Sequence, residues 1–168
     1  MKTILFAVTL AATATVAIAQ DAETVTVGFV DAAGKDNGTA QLTATPRGLL
    51  IELEITGLPS GQWVAFHVHE TGSCDHNSGH ESAGGHFNPG GKEHGFLSEH
   101  GSHAGDMPNQ YVGADGILRA QVFNDQVELN RGKTGILGRA LMIHAQADDY
   151  QSQPSGSAGK RLACGVID

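Results

Sequence analysis

Between Thr24 and Ile167 apolar residues recur at every second position, in bursts too short for a helix to use. Leu49, Ile51, Leu53 and Ile55 share one face of an extended segment, because successive strand side chains point to opposite sides. Val25, Val27 and Phe29 alternate in the same way, as do Ala40, Leu42 and Ala44 ahead of Pro46. Further strands are expected over 62–69, 117–123, 139–146 and 162–167. Gly34, Asn37-Gly38, the stretch 57–61 and Asp115-Gly116 supply turns. No segment sustains a helical period, and no internal repeat is visible. The 23 glycines fit many turns between short strands. The chain therefore reads as one all-β domain, an antiparallel sandwich or barrel, and 168 residues leave no room for a second. Two stretches break the rhythm, 71–107 and 147–160, and loops of that length usually carry function.

Residues 1–19 read as a leader outside the fold. Lys2 is followed by an uncharged apolar run that ends in Ala17-Ile18-Ala19, a small-x-small cleavage pattern. A membrane anchor is the competing reading, but Thr3, Thr9, Thr13 and Thr15 dilute the run. Cleavage leaves a domain of residues 20–168 that begins at Gln20 and is exported, with no stable membrane association expected. An isolated cysteine pair in an exported chain most often forms a disulfide, here Cys74–Cys164. Eighteen acidic against ten basic side chains give a net charge of −8, which disfavours a nucleic-acid partner.

The remaining signal is histidine, with nine in the chain. His67 and His69 flank Val68 in an apolar strand, so both imidazoles lie on one face. Alone, the pair is better read as ordinary polar residues facing solvent. The loop that follows adds His86, His94, His103 and Asp106, and a later strand adds His144. Imidazole suits copper and zinc, and three imidazoles with one carboxylate suit tetrahedral zinc. His76, His80 and His100 are also present, so the count of histidines does not choose among them.

Five strings in order carry a resemblance: Phe66–Glu70 (FHVHE), Ser82–Pro89 (SAGGHFNP), His103–Asn109 (HAGDMPN), Gly138–Asp149 (GRALMIHAQADD) and Gly159–Ile167 (GKRLACGVI). The chain resembles the copper/zinc superoxide dismutases, of the bacterial periplasmic type. Cys74, five positions after His69 in Gly72-Ser73-Cys74, is similar to the bacterial arrangement. The resemblance implies an eight-stranded antiparallel Greek-key β-sandwich or barrel with a long metal-binding loop and a shorter channel loop. It implies one copper on His67, His69, His86 and His144, and one zinc on His86, His94, His103 and Asp106, with His86 shared. Asp148 is then a hydrogen-bond acceptor for His67 and His94 that fixes ring orientation. His76, His80 and His100 fall outside the pattern and read as surface residues.

The implied activity is dismutation of superoxide to oxygen and hydrogen peroxide, with copper cycling between two oxidation states. His86 and Arg161 are the implied catalytic residues, His86 exchanging a proton and Arg161 docking the anion. Lys92 and Lys160 are candidates for assisting from a distance, and Ser155 for narrowing the channel. The implied setting is the periplasm, as monomer or homodimer; Trp63 is either core or contact. Some features depart from the family pattern: Ala65 stands before Phe66, Ala145 follows His144, and the channel loop 150–160 carries Lys160 but no acid. A different class, a non-catalytic copper/zinc-binding or metal-buffering module, is the alternative. Metal content and superoxide consumption on one sample separate the two.

Overall fold

The computed structural model describes residues 22–168, so the leader expected over 1–19 lies outside the described residues. Nine strands run in chain order among the described residues: β1 Thr24–Asp31, β2 Asp36–Thr45, β3 Gly48–Ile55, β4 Trp63–Val64, β5 Phe66–His69, β6 Gln110–Tyr111, β7 Leu118–Asn124, β8 Arg139–His144 and β9 Arg161–Ile167. Ala65 alone separates β4 from β5, so the two form one interrupted segment and the expected eight are recovered. Seven strands make one antiparallel sheet in the order β5-β8-β9-β1-β2-β3-β7, and β4 pairs with β6. An isolated pair, Val112 with Leu118, brings the end of β6 back to β7. The sheet therefore curls, with β4 and β6 continuing it from β5 toward β7.

The alternation read from sequence is the inward set. Val27, Phe29, Leu42, Leu49, Ile51 and Ile55 are fully or almost fully buried. They meet across the ladder, where Leu42 pairs with Ile51 and Ile51 with Val122. Each such side chain contributes about 1.5–3 kcal/mol by leaving water. The two-residue β6 has no alternation to read, and only the finished sheet identifies it as a strand. Trp63 is exposed by 56%, its ring meeting Tyr111 edge-on at 5.3 Å, so it is not core.

β8 differs from β1–β3 because both its faces are buried. Leu141 and Ile143 enter the main core, while Ala140 and Met142 form a second small cluster with Ala83 and Cys164. What covers that second face is the loop after β5, fastened by the disulfide Cys74–Cys164 with Cα atoms 5.6 Å apart. Short 3-10 turns at His76–Ser78 and Glu81–Ala83 fold this loop back, and the Asp75 carboxylate caps the first by accepting from the Asn77 N–H at 3.0 Å.

The bridge spans 90 positions, and removing such a link from a small domain costs about 2–5 kcal/mol. The double variant Cys74→Ala/Cys164→Ala is expected to lose stability in that range, measured by denaturant unfolding at matched metal content.

Candidate metal centre

His67 and His69 project from the outer face of β5, opposite Phe66 and Val68, which enter the core. A half-buried strand would show that face to water, yet both imidazoles are buried. The loop over them is hydrogen-bonded into place: Phe87 N–H donates to Val68 O at 2.8 Å, Val68 N–H to Gly105 O at 2.9 Å, and Gly105 N–H to Phe87 O at 2.9 Å. Gly105 has no room for a side chain, because a Cβ would meet Val68 O. This seating holds His86 beside His69 and Asp106 beside His67, each as an isolated bridge. His144 ends β8 at a bulge, directly opposite Arg161 in the ladder with β9.

The result is two groups of donors that share one residue. His67, His69, His86 and His144 form the first; His86, His94, His103 and Asp106 form the second. Within each group the ligand atoms all lie within 4.8 Å of one another, and all seven residues are buried. In the second group Asp106 Oδ1 lies 2.9 Å from His86 Nδ1, 3.0 Å from His94 Nδ1 and 3.3 Å from His103 Nδ1. Two ligand bonds of about 2.0–2.1 Å at a tetrahedral angle would set donors roughly 3.3 Å apart. The donor set therefore fits a metal ion.

The first group fits one for a different reason. His67 Nε2–H donates to Asp148 Oδ2 at 2.8 Å, and His69 Nδ1–H donates to Gly84 O at 2.9 Å. His144 Nδ1–H donates to Gly159 O at 3.4 Å. Assigned from these partners, each ring turns its lone pair inward. His67 Nδ1 and His86 Nε2 are buried with no hydrogen-bond partner, and the Nε2 atoms of His69 and His144 face each other at 3.2 Å. Buried acceptors aimed at one another are costly unless a cation lies between them. His86 alone has a nitrogen toward each group.

Electrostatics keep the first group neutral. Burial lowers His67, His69 and His144 below the ordinary histidine value, and neighbouring imidazoles push His69 and His144 further. Burial also takes His86 down to about 4 against the opposing pull of Asp106. Burial would lower His94 too, but the carboxylates of Asp106 and Asp148 outweigh it and raise this ring to about 9. Burial would raise Asp106, yet His103, His86, His94 and the Gly95 N–H hold it far below the carboxylate range. Both carboxylates are thus ionised at neutral pH, as a cation site requires.

Asp148 joins the two groups. Its Oδ2 accepts from His67 and its Oδ1 from His94 Nε2–H at 3.0 Å. Asn109 in turn fixes Asp148, its amide accepting from Asp148 N–H at 2.8 Å and donating to Asp148 O at 2.9 Å. Gln153 does the same for His94, accepting from its N–H and donating to its carbonyl, both at 2.9 Å. Sequence reasoning did not single out Asn109 or Gln153. The first ends the HAGDMPN string, whereas nothing marks the second among the polar residues of its loop.

A cleft of about 570 Å³ opens over the first group, lined by His69, His86, His144, Ser155, Arg161 and Glu81 among others. Arg161 Nη1 donates to His80 O at 2.7 Å and Nη2 to Gly84 O at 2.8 Å. Lys92 and Lys160 are exposed and do not line the cleft. His76 and His100 are exposed as expected, but His80 is buried. The surface reading of His80 is corrected by its backbone: at φ 63° it lies in the left-handed region at the turn before Glu81–Ala83, and its ring sits inside the fold.

A family model described as copper/zinc superoxide dismutase (SODC) matches residues 36–167. A curated "Superoxide dismutase [Cu-Zn] 2" of Aquifex aeolicus is 49% identical over 143 residues, which is 83% of each chain. "Superoxide dismutase [Cu-Zn] 1" of the same organism is 47% identical over 154 residues, 89% of this chain and 90% of that one. Among solved structures, the Cu/Zn superoxide dismutase from Brucella abortus superposes with a TM-score of 0.72 at 31% identity, covering 87% of this chain and all of that one, 100%.

Gly156 packs directly against this network at φ 64°, and a Cβ there would collide with Asp148 Oδ1 and His94 Nε2. Gly156→Ala is expected to lower metal affinity by about 10–100-fold, the usual cost of disturbing groups that orient ligands. Chelator competition on the purified protein measures it, with wild-type affinity as the contrary result.

Proposed function

The chain belongs to the copper/zinc superoxide dismutase family, with superoxide dismutase activity and copper and zinc as its cofactors, and we propose that a single histidine-bridged centre carries the reaction. In this reading His67, His69, His86 and His144 hold copper, while His86, His94, His103 and Asp106 hold zinc. The observation that carries it is His86, whose Nδ1 is 2.9 Å from Asp106 while its buried Nε2 faces the other histidines without a partner. Copper, when bound, supplies the one-electron redox change that turns one superoxide into oxygen and a second, with two protons, into hydrogen peroxide; zinc has no redox chemistry.

The chain's own residues do the rest. The protein's net charge is −8, so a small anion is repelled at long range and needs local attraction. Arg161 supplies it at the cleft, where its two carbonyl contacts aim the guanidinium and leave other N–H groups for a charge-assisted bond to the anion. His86 Nε2 is the atom assigned to hold one of the protons the product needs. Asp148 keeps the His67 and His94 rings in the tautomer that presents Nδ1. A metal-buffering role alone gives no reason for an anchored arginine beside the imidazoles.

The proposal includes export to the periplasm after cleavage behind Ala19. The disulfide supports an oxidising compartment, and no helix among the described residues is long and apolar enough to cross a membrane. Intact mass of the exported protein is expected to give Gln20 as the first residue; a retained leader contradicts this.

His144→Ala is expected to abolish copper binding and activity while zinc is largely kept, and Asp106→Ala to cost zinc first. Metal analysis with a superoxide-consumption assay checks both, and full copper-dependent activity in both variants overturns the ligand sets. Arg161→Glu is expected to slow the reaction by roughly 10–100-fold with both metals present, from losing a charged hydrogen bond of about 1.5–3 kcal/mol. Arg161→Lys should cost less, and salt should slow the wild type through screening over about 10 Å at 0.1 M.

A further inference from the structure

Arg161 does not face the cleft alone. Glu81 Oε2 stands 3.2 Å from Arg161 Nη2, with the Glu81 side chain 70% exposed and that of Arg161 only 13%. Both residues line the cleft together with His69, His86 and His144. The two kinds of contact made by Arg161 differ in character. Its aligned hydrogen bonds go to the carbonyls of His80 and Gly84, while Glu81 meets it as an ion pair. The guanidinium is therefore oriented by main-chain groups, with an exposed carboxylate beside it as counter-ion.

The position of Glu81 does not depend on that pairing. Its backbone belongs to the 3-10 turn Glu81–Ala83, where Gly84 N–H donates to Glu81 O and Ala83 N–H to His80 O, both at 3.1 Å. Ala83 beneath it is buried in the cluster with Met142 and Cys164. The Glu81 end of the pair is exposed and screened by solvent, so its side chain swings to water at small cost.

We propose that Glu81 is a built-in competitor for the anion site: its carboxylate occupies the charge of Arg161 at rest and yields to the incoming substrate, which lowers the rate of docking. This rests on the docking role proposed for Arg161. Neutralising Glu81 then leaves Arg161 aimed as before, with more of its positive charge open to the cleft.

The test compares metal-loaded wild type, Glu81→Gln and Glu99→Gln, the last removing one exposed charge that does not line the cleft. Two readouts are taken. The first is kcat/KM for superoxide as a function of salt. The second is the rate at which phenylglyoxal, an arginine-selective reagent, modifies Arg161, followed by peptide mass analysis. Glu81→Gln is expected to raise kcat/KM about two- to fivefold at low salt, the fold-change matching a surface ion pair of up to about 1 kcal/mol. The advantage should shrink as salt rises, and Arg161 should react faster with the reagent. A rate at or below that of Glu99→Gln, or unchanged Arg161 reactivity, overturns the proposal. A lowered rate would make Glu81 a support of Arg161 and equally overturn it. Undiminished activity in Arg161→Glu would instead remove the docking role itself, so the two failures are distinct.

Discussion

One carboxylate holds this molecule's chemistry in register. Asp148 accepts from a strand-borne ring, His67, and from a loop-borne ring, His94, with one oxygen for each. Without it each ring would be free to turn its other nitrogen inward, and the buried lone pairs would lose their common aim. Its own orientation comes from Asn109 and the Tyr150 N–H, which donates at 2.6 Å. Asn109 follows the long loop 71–107 and Tyr150 lies in the loop 147–160. The two long loops that break the strand pattern are thus not independent appendages. They meet at one buried acid and are ordered by it together.

That arrangement divides labour between sheet and loops. Strands β5 and β8 supply His67, His69 and His144, which are neutral because burial opposes their charge. The loop supplies Asp106, held ionised by the rings and the Gly95 N–H around it, and His94, whose outer ring nitrogen is anchored on Asp148. In the proposed assignment the first set serves a redox ion, since a rigid frame limits rearrangement between oxidation states. In the same proposal the second set serves an ion of fixed valence, whose binding would also order the loop. The division follows from where the backbone is regular and where it is not.

Much of this was legible before any coordinates. The two-residue period at 49–55 placed Leu49, Ile51, Leu53 and Ile55 on the core face, and all four are buried. The pairing of Cys74 with Cys164 followed from number and compartment alone, and the bridge is present. The histidines named from residue type and the family resemblance converge in two groups. What stayed hidden shares one physical cause: it depends on contacts between segments far apart in the chain. Gln153 brackets His94 across 59 positions, and β6 exists only because β4 lies beside it. His80 sits in a polar, glycine-flanked stretch that reads as surface, yet in the folded loop it takes a left-handed backbone and is buried.

The two buried faces of β8 bear on how this chain tolerates change. On β2, β3 and β7 the outward row carries Gln41, Glu52 and Gln121, the last two joined side chain to side chain at 2.6 Å, and none of them touches the metal groups. Charge, solubility or a chemical tag can be altered along that row as a separate design variable. β8 offers no such silent side: Leu141 and Ile143 answer to the core, and Ala140, Met142 and His144 to the covering loop and the cleft. Mutational robustness is therefore unevenly spread around the barrel, with one flank open to drift or engineering and the opposite flank nearly closed to both.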